Sequence, residues 1–141
     1  MATKHDGTTS SPELRSFDIG SAEGRFQVLA KVFEVGPDCL ILLWGGTRPH
    51  VGAVGIGQVR PSLKDPAQIS ASSSVFTFVG HKEDMVAKMM AEELAKRLGR
   101  NTIVAAGIHW DNLTESDIKT ITTLCKSIMD QIVLQYKTVF V

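Results

Sequence analysis

The segment LTESDIKTITTLCKSIMDQIVLQY, residues 113 to 136, constrains the fold of this chain more than any other. Ile118, Ile121, Leu124, Cys125, Ile128, Met129, Ile132 and Tyr136 recur at three- and four-residue spacing, which predicts one apolar stripe on a long helix. Thr114 and Asp117 have the spacing of a capping box, so the helix is expected to start just after Thr114. A helix with a single apolar stripe must bury it against another layer. The rest of the chain has to supply that layer.

The first half reads as strands. GRFQVLAKVFEVG alternates Phe26, Val28, Ala30 and Val32 with Arg25, Gln27 and Lys31, a period of two. GPD at 36–38 signals a turn with Pro37 preset for its position. CLILLW is nearly all apolar and is expected to be a central strand covered on both faces, the partner of 24–35 in a hairpin. RSFDIG is a shorter candidate strand. GGTRPHVGAV then reads as a second hairpin connection leading into HVGAVGIGQV. Gly52, Gly55 and Gly57 weaken that strand and imply that another element or a ligand comes close to its backbone. Residues 60–72 read as a polar loop and SSVFTFVG as a short strand. HKEDMVAKMMAEELAKRLG is a helix with Met85, Met89, Met90, Leu94 and Leu98 on its apolar face and Gly99 at its end. NTIVAAGIH is the last strand. The apolar tail KTVFV packs at an edge or at a subunit contact.

This order is an α+β plan: a largely antiparallel sheet with a βαβ unit, covered by two helices. Its 141 residues fit one domain, expected over 15–141 after a polar, disordered lead at 1–14 that carries no apolar signal segment. The formal net charge is zero, so no broad pull toward nucleic acid or an anionic membrane is expected. No apolar run is long enough to span a bilayer. Cys39 and Cys125 lack partners at metal-ligand spacing and are expected to be buried free thiols in a reducing, cytoplasmic setting. The strand 24–35 leaves one sheet face partly exposed, which points to self-association.

Candidate chemistry lies at three turns. Three of the four histidines directly follow a strand, in GGTRPH, VGHKED and AGIHWDN, each with a glycine upstream. A right-handed crossover makes the strands before His81 and His109 parallel and brings both histidines to one sheet edge, where ligand crevices form. The turn at 45–50 falls at that edge or the opposite one. If it joins them, Gly46, Thr47, Arg48 and His50 share a cleft with Gly80, His81, Glu83 and Asp84, and with His109, Asp111 and Asn112. Four readings compete. A metal centre has its residue types here, but HxH and HxxxH spacings are missing. An anion or phosphate site would use Arg48, the glycine-rich turn and the helix N-termini, against acids in both first turns. A histidine beside Asp84 or Asp111 suits general acid/base work in a small His-dependent enzyme. The last reading is structural, with the histidines and glycines serving only corners and caps. Trp44 and Trp110 flank these turns as core or rim packing, or as a stacking wall for a planar ligand such as a flavin.

GGTRPHVGAV, GHKEDMVAKMMAEELAKRLG and TIVAAGIHWDNLTESDI together resemble the small LpdD-like family, named for a subunit of gallate decarboxylase. The resemblance runs from about residue 25 to 136. It implies a non-catalytic accessory protein, a prenylated-flavin chaperone for decarboxylases of the UbiD type, with prenylated FMN or FMN as its ligand. It also implies a fold similar to proteasome assembly chaperones, a homodimer, and a decarboxylase or assembly partner. An assembly factor that binds only protein is the alternative.

Overall fold

The computed structural model of the chain describes residues 13–78 and 84–140. Six strands form one sheet: β1 (Ser16–Glu23), β2 (Phe26–Val35), β3 (Asp38–Gly46), β4 (Ala53–Pro61), β5 (Ile69–Thr77) and β6 (Thr102–His109). Two helices accompany it, α1 (Asp84–Leu98) and α2 (Glu115–Val139). The strand order is β1-β2-β3-β6-β4-β5. Every neighbouring pair is antiparallel except β3 with β6. The α+β plan holds, and so does the crossover. β5, α1 and β6 form a βαβ unit that steps over β4, so β5 and β6 run in the same direction.

The core is built in rows across the sheet. Ala30, Leu43, Ala106 and Ala53 stand in register, as do Val32, Ile41, Val104 and Gly55, and all eight are buried. Helix α1 packs on β4, β5 and β6, α2 packs on β1 and β2, and the helices touch each other. Small residues let α1 settle onto β4. A Cβ at Gly55 would stand 2.1 Å from the Ala87 carbonyl oxygen, and one at Gly57 2.1 Å from that of Ala91. The close approach expected at these glycines is therefore made by a helix. α2 starts on the Thr114–Asp117 capping box and buries its stripe from Ile121 to Tyr136. α1 ends at Gly99, whose φ of +66° lets the Arg100 N–H reach back to the Ala95 carbonyl. Cys39 and Cys125 are buried free thiols. The tail packs at the β1 edge, where the Phe140 ring lies 5.2 Å from Phe17 and 4.8 Å from Tyr136.

Several expectations need correction. β3 is covered on one face only: Cys39, Ile41 and Leu43 are buried, while Leu42 points away from the helices and is exposed. Both helices lie on the same side, and among the described residues no helix covers the outer face. The connection from β3 to β4 is not a hairpin, because β6 lies between them. The polar loop shrinks to 62–68, since β4 and β5 pair through Pro61 and Ile69. Residues 70–74, SASSS, are polar, yet they complete a strand because β4 offers them a ladder. β1 is likewise longer than RSFDIG suggests. Met85 and Ile118, each assigned to an apolar helical stripe, are exposed at the helix starts. The lead up to residue 12 lies outside the described residues.

Candidate functional site

β3 and β6 are parallel, with Gly46 opposite His109, so the turn after β3 falls at the carboxyl edge of β6. The crossover brings the end of β5 to the same edge. The question left open by the sequence is thus answered: the first and third histidine turns meet. The turn crosses the end of β6 on the outer face and is tied down at both sides. The Thr47 N–H donates to the His109 carbonyl at 3.0 Å, and the Gly52 N–H to the Ala106 carbonyl at 2.8 Å. Glycine permits this crossing. A Cβ at Gly107 would stand 1.7 Å from the His50 carbonyl oxygen, and one at Gly46, at φ +94°, 1.8 Å from that of His109.

The crossing sets the His50 and His109 rings at right angles, with centroids 6.4 Å apart. The His50 Nδ1–H donates to the Arg48 carbonyl at 3.0 Å, and the His109 Nε2–H to Asp111 Oδ1 at 3.0 Å. These acceptors select opposite tautomers in the two rings. Asn112 holds a left-handed turn at φ +56°, which turns the chain from His109 toward Thr114. Thr47 and Arg48 are exposed on the crossing turn. Gly80, His81 and Glu83, and the side chain of Asp84, lie outside the described residues. Among the described residues, no three of His, Cys, Asp and Glu gather as a metal site.

The start of α2 lies at this edge too. Asp117 accepts from the Thr114 N–H at 3.0 Å, and this bond holds its carboxyl below its ordinary value of 3.8. Arg25, from the β1–β2 turn, stands 3.5 Å from the same carboxylate. The acid that would repel an anion is thereby partly neutralised.

Beside the histidine pair, a cleft of about 250 Å³ opens at the rim of the sheet. Trp44 and Trp110 line it with Gly45 and Gly46, and Gln27 and Leu29 of β2 contribute from the neighbouring strand. The sequence offers the two tryptophans as core or rim packing or as a stacking wall, and it does not single out Arg25, Gln27 or Leu29 for this cleft. Their one signal was the predicted β2–β3 hairpin, which puts the start of β2 beside the end of β3.

The sequence profile of the prenylated flavin chaperone LpdD-like domain matches residues 22–137. The chain belongs to this family. The LpdD-like match takes in every described residue of the histidine edge. The chain is 27% identical over 120 residues to Protein LpdD of Lactiplantibacillus plantarum, covering 85% of this chain and 83% of that one. Its fold resembles a chain in the crystal structure of a chaperone complex for yeast 20S proteasome assembly. That likeness has a TM-score of 0.51 at 13% identity and covers 84% of this chain and 94% of the other. At that identity it speaks for the fold of the LpdD-like chain alone.

Proposed function

We propose that this protein is a non-catalytic accessory chaperone that holds a flavin-like, phosphorylated ligand at the histidine edge and passes it to a UbiD-type decarboxylase. The observation that carries the reading is the crossing of the 47–52 turn over the end of β6, which sets His50 beside His109 and exposes Arg48 next to them. Arg48 supplies a guanidinium fork for phosphate. The two imidazoles supply donors or acceptors for ring carbonyls and phosphate oxygens. The family description, with its prenylated flavin, agrees with this chemistry. Gly46, Thr47, Gly80, His81, Glu83, Asp84, Asp111 and Asn112 complete the proposed ligand-binding set.

The test is titration of the purified protein with FMN and prenylated FMN, followed by fluorescence quenching. Wild type binds, and Arg48→Ala and His50→Ala each weaken binding by about tenfold or more, as loss of one charge-assisted contact entails. Absence of binding by wild type, or wild-type affinity in both variants, would sink the reading.

A second reading is favoured by one observation, the outer face of the sheet with its exposed Leu42, Ile56, Ile103 and Phe76. Such a face suits a protein partner or a second copy of the chain. In a purely protein-binding assembly factor, Arg48→Ala and His50→Ala leave partner capture intact, and charges on the outer face abolish it. Capture from the native cell separates the readings: a decarboxylase for the first, proteasome subunits for the second.

A further inference from the structure

We propose that the rim cleft lined by Trp44 and Trp110 is a binding site for a planar heteroaromatic ring that stacks on Trp44 and whose edge carries both hydrogen-bond donors and acceptors. The inference rests on the reading that this edge holds a ligand, and adds where the ring of that ligand lies.

The cleft is built before any ligand arrives. Trp110 stands edge-on to the buried Phe26 at 5.1 Å, and a Cβ at Gly45 would already lie 3.1 Å from its Cη2. Its indole is therefore fixed by the core on one side and by bare backbone on the other. Trp44 is half-buried on the outer face, in register with Leu29 of β2. Trp44 and Trp110 thus reach the cleft from opposite sides of the sheet, and Gly45 and Gly46 add no side chain to its rim. An aromatic, apolar wall loses little side-chain entropy when a ring enters.

The polar end decides the chemistry of the ring edge. Arg25 lies over the Phe26 ring at 4.6 Å and 3.5 Å from the Asp117 carboxylate, so its charge is already partnered. This end therefore suits a neutral edge better than an anion. Gln27 offers an amide that both donates and accepts. A ring edge with alternating carbonyl and N–H groups matches it, as flavins and some nucleobases provide. The volume also selects. At about 250 Å³ the cleft falls below the roughly 300–1,000 Å³ of pockets that enclose whole drug-sized ligands. It holds a ring system and leaves any phosphate arm outside, toward the exposed Arg48 along the same rim.

The chain has only two tryptophans, and both line the cleft, so its intrinsic emission reports directly on occupancy. The experiment titrates the full chain with riboflavin, FMN, AMP, GMP and inorganic phosphate. It follows tryptophan emission and, in parallel, equilibrium dialysis. Riboflavin, which has no phosphate, is expected to quench wild type. Trp44→Leu is expected to weaken it by about tenfold as the stacking surface is lost, and Trp44→Phe to retain most of the affinity. Circular dichroism confirms that the variants stay folded. If GMP or AMP replaces riboflavin as the tighter ligand with the same Trp44 dependence, the ring site stands and its source is a nucleobase. If FMN binds by dialysis and phosphate competes, while riboflavin fails to bind and Trp44→Leu is silent, the ring site is overturned and the phosphate-holding edge survives. If none of the five ligands binds, the ring site falls with the reading beneath it.

Discussion

Gly107 and Gly46 decide whether the histidine edge exists. Each lies where a Cβ would collide with a backbone carbonyl, and backbone, unlike a flexible side chain, cannot yield cheaply. Gly107→Ala is expected to lift the 47–52 turn off the end of β6, at a cost of about 1–3 kcal/mol typical of overpacking. The His50 and His109 rings would separate. Urea denaturation measures the first effect, and NMR shifts of both imidazoles the second. An alanine variant with unchanged stability and unchanged imidazole shifts would show that the turn does not rest on this glycine. The buried thiols make a second residue-scale prediction. Burial pushes Cys39 and Cys125 from 9.0 up to about 12. Their folded values are raised, so between pH 9 and 12 the unfolded chain releases protons that the folded chain retains. Stability is thus unaffected by these groups below pH 9 and falls above it. The slope is about 1.4 kcal/mol per pH unit for each thiol. Cys125→Ala should remove one thiol's share of that slope, and denaturation midpoints across pH 8–11 check it.

At the scale of elements, the cap of α2 carries the clearest expectation. Thr114 Oγ1 accepts from the Asp117 N–H at 3.1 Å, and Asp117 returns the bond to the Thr114 N–H. Thr114→Ala should cost about 1 kcal/mol. The Asp117 carboxyl is held low by that backbone bond first of all. Its contribution is therefore complete above its ordinary value of 3.8 and is lost as pH falls through the lower folded value. Melting curves from pH 5 to 2 should show a smaller acid-side loss in Asp117→Asn, which has no carboxyl to titrate, than in wild type. α2 and β2 were legible in the sequence because burial follows a local period in each. β5 was half legible. Its apolar end, SSVFT, shows in the sequence, but SASSS becomes strand only because β4 lies alongside. The insertion of β6 between β3 and β4 was not legible. A six-residue connection between two strands looks the same whether they pair or make room for a third. That insertion also decides the site, for it sets Gly46 opposite His109. The sequence placed His81 and His109 at one edge by the crossover rule, but it had no local signal for the parallel pairing that brings in His50.

For the molecule as a whole, the outer face of the sheet is a broad surface that no helix covers among the described residues. Six strands about 4.8 Å apart, of eight to ten residues at about 3.3 Å each, make a face of roughly 29 by 28 Å, on the order of 800 Å². That equals the roughly 800 Å² per partner of a standard protein interface. Across its middle run Leu42, Ala105 and Val54, then Leu40, Ile103 and Ile56, with no charge among them. The charged pair Lys31–Asp18 sits to one side, on β2 and β1. An apolar centre with charge displaced to the margin is how interfaces are arranged, and it matches a second copy of itself as well as a foreign sheet. We therefore expect a homodimer packed sheet on sheet. The double variant Leu42→Lys, Ile103→Lys sets two cations on each copy at that centre. Both positions are exposed, so the fold should survive with little loss, whereas like charges facing each other should disrupt association. Sedimentation should give wild type at twice the 15.3 kDa of the chain and the double variant at 15.3 kDa, with equal helical content by circular dichroism. Wild type sedimenting as a monomer would reject the homodimer and reserve the face for a different protein. Because the Trp44 end of β3 lies on this same face, ligand affinity should change with dimer formation if the two contacts share that end of the sheet. Titration at protein concentrations on either side of the dimerisation midpoint measures that coupling.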